Sequence, residues 1–311
     1  MFTFILKRVF QAIPVLFVVV TATFFLIHSA PGGPFDAEKE IPPQILENLL
    51  KAYNLDAPVH EQYFIYLSNL VKGDFGPSFK YTDYSVTEMI SSGFMVTLEL
   101  GFYALIVALV IGLATGIFAS LRPNTLGDYI PMSISMLGIC MPAFLLGPLL
   151  VLTFSIWLGW LPVAGWGQFP GDKILPSITL GAAYAAYVAR LTRGGMLEVL
   201  SQDFIRTARA KGLSERVVVL KHALRGGVLP VVSFLGPAIA GLITGSFVVE
   251  TLFQIPGLGR FYVQAAFNRD YTMILGSTIF YSSLIISMNI ISDILTVWLN
   301  PRLDYDNKAT T

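Results

Sequence analysis

The sequence predicts an all-α polytopic membrane protein with six transmembrane helices and both termini in the cytoplasm. Three observations carry that prediction. Of 311 residues, 54% are hydrophobic and only 13% are charged, about half the charged share of a soluble domain. Six charge-poor stretches approach the ~20 apolar residues that a spanning helix needs. The remaining charges are segregated by sign, although twenty Lys and Arg balance twenty Asp and Glu over the whole chain.

The six stretches are Val9 to Ala30, Gly101 to Leu121, Tyr129 to about Trp157, Ile174 to Ala189, Gly226 to Val249, and Tyr271 to about Leu299. The first follows Lys7-Arg8 and resembles a signal peptide. Its length, and Pro31 after His28-Ser29-Ala30, instead favour an uncleaved span. The fourth is short and is expected to extend past Arg190 by snorkelling. Tyr129 to Gly171 carries no charge, but Leu158 to Gly171 holds four glycines, two prolines and two tryptophans. That composition predicts an interfacial loop and not a further span.

Segment 31–93 carries nine acids against four lysines, a net charge of −5, whereas segment 190–225 carries eight bases against three acids, a net charge of +5. The excess of Lys and Arg marks the cytoplasmic side. It places segment 190–225 inside and segment 31–93 outside. The expected organisation is a first helix over 1–30, an external helical segment over 31–93, a five-helix core over 94–300 containing a cytoplasmic loop at about 190–225, and a cytoplasmic tail over 301–311.

In the outer segment, Pro43 opens a helix that stops near Asn54, and Pro58 opens another that runs to Gly73. Ser85 and Glu88 have capping-box spacing. In the inner segment, Ser201 is placed to cap a helix with Asp203 in its first turn, while Arg206, Arg209 and Lys211 suit its C-terminal end. Gly212 supplies a left-handed C-terminal residue, and Ser214 starts a second helix at Glu215. Small residues at Thr207, Ala208 and Ala210 would keep this corner low enough for another protein to seat against it.

Asp203-Phe-Ile-Arg-Thr-Ala-Arg-Ala-Lys-Gly-Leu213 resembles the cytoplasmic EAA loop of binding-protein-dependent ABC importer permeases, in its peptide and nickel branch. Lys7-Arg8 to Ile13-Pro14, Ala30-Pro31-Gly32, Gly73 to Ser78, Thr97 to Gly101, Glu250-Thr251 with Ile255 to Gly259, Asn268 to Tyr271, and Asn300-Pro301-Arg302 match that branch in order. The resemblance runs nearly end to end and is closest to the B-type membrane subunit of oligopeptide permeases. It departs from the general family pattern at Arg206-Thr207-Ala208, where Glu-Ala-Ala is usual, and at Leu224-Arg225, where Leu-Pro is usual.

The resemblance implies a type I ABC importer permease fold, a homologous second permease subunit, two cytoplasmic ATPases and an extracytoplasmic peptide-binding protein, with no cofactor and no nucleic acid. It also implies alternating access driven through a coupling element made of Asp203, Arg206, Thr207, Ala208, Arg209, Ala210, Lys211, Gly212 and Leu213. No Gly-Lys dipeptide occurs, so there is no Walker A loop and ATP hydrolysis falls to another chain. Pro256, Gly257 and Gly259 lie in the turn-rich start of a loop from Ile255 to Tyr271, expected outside as a gate or a binding-protein contact.

The rival classes are an intramembrane protease and a secondary transporter. Neither Gly-x-Ser-Gly nor His-Glu-x-x-His occurs around His28, His60 or His222, and no repeated halves are visible. Glu99, Glu250 and Asp293 sit near span ends and are expected to be structural. Pro131, Pro142, Pro148, Pro237, Gly241 and Gly245 are expected to permit kinks or close helix approach. The single Cys140 excludes an intrachain disulfide and is expected to be a small buried hydrophobe.

Overall fold

The computed structural model describes residues 2–35, 43–81 and 83–299. Every regular element among them is helical. In order they are α1 (Phe2–Ser29), α2 (Pro43–Ala52), α3 (Val59–Val71), α4 (Val86–Ser120), α5 (Leu126–Cys140), α6 (Ala143–Leu150, continued as π-helix over Val151–Trp157) and α7 (Ile174–Leu200). There follow α8 (Asp203–Ala210), α9 (Glu215–Val217, continued as π-helix over Val218–Ala223), α10 (Leu224–Gly227), α11 (Leu229–Thr244), α12 (Phe247–Leu252), α13 (Leu258–Asn268) and α14 (Tyr271–Leu299). Asn300-Pro301-Arg302 and the expected tail lie outside the described residues, as do Asp36, Glu38, Lys39 and Glu40 of the outer charge count.

Five of the expected spans correspond to long apolar helical stretches, and α5 and α6 meet at a bend of 114°, so the described residues hold five spans, or six if the bent pair is one span. The expectation of one span over Tyr129 to Trp157 needs that correction. Pro142 forces the preceding Met141 into extended backbone at φ −94° and ψ 117°, because the proline ring clashes with a helical predecessor. The helix therefore stops at Cys140 and restarts at Ala143. The fifth span is also interrupted, at Gly245 and Ser246 between α11 and α12. Cys140 is exposed on this chain, contrary to the buried position expected for it.

The chain divides into two compact units. The first contains residues up to Thr97 together with Pro256–Ile286. Its core joins Val86, Met89 and Ile90 of α4 to Leu258 and Ala265 of α13 and Met273 of α14. A second cluster packs Phe24 of α1 against Tyr63 of α3 and Leu275 of α14. The local signals hold here. Ser85 Oγ accepts the Glu88 N–H at 3.2 Å while Glu88 returns an acceptor to the Ser85 N–H at 3.0 Å, the reciprocal capping box that starts α4. Asn54 adopts φ 55° after α2, and the N–H groups of Asn54 and Leu55 close back on Lys51 and Leu50.

Within this unit the Tyr66 hydroxyl is buried with no partner among the described residues. Burial pushes its pKa well above the usual tyrosine range. An unpaired buried hydroxyl costs about 1–3 kcal/mol. Tyr66→Phe is therefore expected to raise the thermal unfolding temperature; a lowered one would show that the hydroxyl is paired after all.

The second unit runs over Leu98–Ile255 and continues from Ser287. At its centre is α7, whose small side chains admit its neighbours closely. Cβ atoms built on Gly112 and Gly116 of α4 would lie 2.7 Å from the Ala185 carbonyl and 2.6 Å from the Ala189 carbonyl of α7. Gly112-x3-Gly116 thus meets Ala185-x3-Ala189, the small-residue crossing that brings membrane helices together. As expected, α7 extends past Arg190 to Leu200, and Asp128 at the start of α5 accepts two hydrogen bonds of 2.6 Å from Arg193.

Candidate functional site

The corner between α8 and α9 is built from a two-faced helix and a precise stop. Ile205 and Ala208 face inward, in one cluster with Met196 of α7 and Val218, Val219 and Ala223. Asp203, Arg206, Thr207, Arg209, Ala210, Lys211, Gly212 and Leu213 are exposed. The helix ends in a Schellman motif. The Gly212 N–H donates to the Arg209 carbonyl at 2.9 Å, the Leu213 N–H donates to the Ala208 carbonyl at 3.4 Å, and Gly212 holds φ +76°. Ser214 occupies the N-cap of α9, as expected.

Two local expectations change. Ala208 is not part of the outward surface; its position three residues after Ile205 puts both on the buried face. Ser201 does not cap α8, because α8 has Gln202 at its N-cap and the Ser201 hydroxyl instead donates back to the Glu198 carbonyl at 2.7 Å. Across the corner, the Arg209 guanidinium donates to both Glu215 oxygens at 2.7 and 3.4 Å. Both side chains are exposed, so this pair shapes the corner more than it stabilises it. A Cβ on Gly212 would meet nothing within 4 Å. The corner therefore presents free space on its own chain at the residue whose conformation most needs glycine.

The stretch from Ile255 to Tyr271, expected as a loop with a turn-rich start, is non-helical up to Gly257 and then largely the helix α13. Gly257 is its N-cap, and the Leu258 N–H donates to Thr97 Oγ1 at 3.0 Å in a buried bond. Gly257 and Gly259 are buried and Pro256 is exposed. The approach of α13 to α4 is close here; a Cβ on Gly93 would lie 2.9 Å from the Leu258 nitrogen.

The intramembrane acids occupy structured sites. Glu99 accepts from Lys173 Nζ at 2.5 Å and from Trp166 Nε1 at 3.0 Å, and the ammonium stands 5.0 Å from the Trp166 ring centre and 5.5 Å from that of Tyr103. Hydrogen bonding to Glu99 holds the Lys173 pKa above the usual lysine range against the opposing effect of burial. Burial works against ionised Asp172, yet the N–H groups of Phe169, Gln168 and Gly167 and the nearby Lys173 outweigh it and hold its carboxyl below the usual range. These contacts organise the loop Leu158 to Gly171, where Trp157 before it and Trp160 within it are exposed as expected for an interface. Glu250 is fully buried and accepts from Ser246 Oγ at 2.6 Å. Asp293 lies on α14, but its side chain and its suggested partner Arg302 are outside the described residues.

Three motifs far apart in sequence converge in the first unit. Asp270 is buried and accepts from Ser78 Oγ at 2.5 Å, the Phe79 N–H at 3.2 Å, the Thr272 hydroxyl at 3.0 Å and the Met273 N–H at 3.2 Å. The Tyr271 hydroxyl donates to the Gly32 carbonyl at 2.9 Å. Ala30-Pro31-Gly32, Gly73 to Ser78 and Asn268 to Tyr271 are thereby tied together. Sequence reasoning matched these motifs but had no signal that they meet. It also missed Asp128 and Lys173, each one residue outside an apolar stretch; the Gly112-x3-Gly116 pattern was readable.

Comparison with known proteins matches this architecture. The model of the binding-protein-dependent transport system inner membrane component covers residues 108–305, and the model of the N-terminal part of that membrane component covers residues 1–101. The oligopeptide transport system permease protein OppB of Haemophilus influenzae is 50% identical over 306 residues, covering 98% of this chain and 100% of that one. OppB of Escherichia coli K12 is 47% identical over the same coverage. The dipeptide transport system permease protein DppB of Bacillus subtilis is 41% identical, covering 98% of this chain and 99% of that one.

Among solved structures, an amino acid ABC transporter with histidines aligns at a TM-score of 0.53 with 18% identity, over 70% of this chain and 95% of that one. The inward-facing MetNI methionine ABC transporter aligns at 0.51 with 18% identity, over 67% and 96%. These two likenesses show the shared fold. The family models span both compact units, and with the bent and straight apolar helices they establish that the chain belongs to the family of binding-protein-dependent transport system inner membrane components, multi-pass permeases of ABC importers.

Proposed function

We propose that the chain forms half of the translocation pathway of an ATP-driven importer of oligopeptides, and that it couples through the α8–α9 corner to an ATPase on a separate chain. The observation that carries the coupling role is the corner itself. Ile205 and Ala208 anchor it to the protein, while Arg206, Thr207, Arg209, Ala210, Lys211, Gly212 and Leu213 are held outward by a Schellman stop. Peptide cargo is supported by the OppB and DppB relatives. The remaining partners are a homologous permease, two ATPases in all and an extracytoplasmic peptide-binding protein.

The charge asymmetry supports an orientation with the corner and both termini in the cytoplasm and segment 31–93 outside. In that orientation the exposed Pro256 is the residue of the Ile255 to Gly259 stretch offered to the binding protein or an outer gate. ATP-bound ATPases moving the corner would switch the pathway from inward- to outward-facing.

Gly212 tests the coupling role. Asn tolerates left-handed backbone better than most residues, and nothing on this chain obstructs a side chain here. Gly212→Asn is therefore expected to retain most peptide uptake in proteoliposomes. Gly212→Trp keeps membrane insertion and complex assembly but lowers ATP-driven uptake at least about tenfold, the equivalent of roughly 1.4 kcal/mol of docking energy. Unchanged uptake by an assembled Gly212→Trp complex would sink the assignment.

A further inference from the structure

The convergence of motifs in the first unit encloses a cavity of about 150 Å³ between α1, α3, the 75–79 loop and the start of α14. A cavity of that size accommodates a benzene-sized group. Its walls include the rings of Phe24, Phe75, Phe79 and Tyr271, and among the described residues no Asp, Glu, Lys or Arg side chain lines it. Two of the polar groups around it are already engaged. His28 contacts the Phe24 carbonyl at 2.8 Å and Gln62 Oε1 at 3.2 Å, and the Gln62 amide donates to the Leu55 and Ala57 carbonyls at 3.2 and 2.8 Å. The half-buried carboxamide of Asn69 also lines the cavity and has no bond to another described residue.

We propose that this cavity binds one neutral, ring-sized side chain of a polypeptide, with Asn69 hydrogen-bonding the backbone amide beside it. A carboxamide presents both a donor and an acceptor, the complement of a peptide unit. The aromatic walls suit a phenyl, phenol or branched aliphatic group. A charged side chain would be desolvated there with no counter-ion among the described lining residues, a cost that disfavours it. The buried Asp270 hub holds the 75–79 loop and Tyr271 in place, so the walls are preorganised. The proposal rests on the peptide-import reading, since it draws its ligand from cargo or from the delivering protein.

The test uses the intact complex in lipid nanodiscs, with N-acetylphenylalaninamide, N-acetyltyrosinamide and N-acetylaspartate amide as probes in saturation-transfer NMR. The two ring-bearing amides are expected to bind saturably and the aspartate amide not to bind. Asn69→Leu weakens the ring-bearing amides about tenfold, and Ile65→Trp, which adds bulk at an exposed position of the lining, removes their binding. Asn69→Ala serves where Leu disturbs assembly, which is checked by co-purification of all subunits. Absence of saturable binding to the parent complex, or affinities unchanged in both the Asn69 and Ile65 variants, overturns the proposal. Competition by a Gly-Phe-Gly tripeptide assigns the site to cargo, and competition by the binding protein alone assigns it to docking. Competition by neither overturns the polypeptide assignment. Peptide uptake by the same complex in vesicles separates the two failures: uptake without probe binding removes only the cavity, and probe binding without uptake removes only the import reading.

Discussion

Replacing Arg193 by Met is expected to destabilise the protein by about 3–5 kcal/mol, because it leaves a buried carboxylate without its cation. Asp128 has a side chain only 1% exposed, and Arg193 is 28% exposed. Two charge-assisted bonds of 2.6 Å join them, and Asp128 also accepts the Asn124 N–H at 3.0 Å. The pair fastens the turn before α5 to α7 on the approach to the α8–α9 corner. The double variant Asp128→Leu with Arg193→Met removes both charges and is expected to recover all but about 1 kcal/mol, the deficit being the unpaired Asn124 N–H. Thermal loss of monodispersity in detergent measures both. An Arg193→Met protein as stable as its parent would show that water or another cation supports Asp128.

The second large effect is expected at Gly116. Alanine is the better helix former by about 1 kcal/mol, so on propensity alone Gly116→Ala would stabilise α4. The crossing reverses that sign. The new Cβ would sit 2.6 Å from both the Ala189 carbonyl oxygen and the Thr192 Cβ of α7, and the backbone of a packed helix cannot yield like the tip of a flexible side chain. Overpacking of this kind costs about 1–3 kcal/mol, and Gly116→Ile is expected to prevent a stable fold. Gly194, on α7, provides the control, because a Cβ there meets nothing within 4 Å. Gly194→Ala should gain up to about 1 kcal/mol. Equal signs for the two alanine variants in the same unfolding assay would show that the α4–α7 crossing has room for a methyl group at Gly116.

Much of the local structure was legible in the chain because its causes are local. The Ser85–Glu88 capping box, the left-handed Asn54 and Gly212, and the Pro58 and Ser214 starts depend on residues within one turn of each other. Spans were legible because a membrane-crossing helix must be apolar over its own length. Ser201 failed because the serine lay within reach of the preceding helix as well, and its hydroxyl bonded to Glu198. The loop expected after Pro256 failed for a different reason. Its start is turn-rich, but from Leu258 the chain is the helix α13, whose first residue packs on α4 at Gly93 and Thr97.

The sequence by itself determined that this chain is a helical membrane protein, roughly where most of its apolar stretches lie, and which loop carries the helix-glycine-helix corner. Those outcomes follow from composition, charge placement and hydrogen bonds between near neighbours. Only the tertiary structure decided that Ile205 and Ala208 anchor the corner while their neighbours face out, and that α5 and α6 bend apart by 114°. It also decided that Asp128 pairs with Arg193 and that Asp270 draws residues 78 and 79 to the start of α14. Such pairings join residues up to 192 positions apart. Nothing in the local sequence specifies a partner at that distance; it is selected when burial removes water and leaves each polar group only the neighbours that packing brings to it.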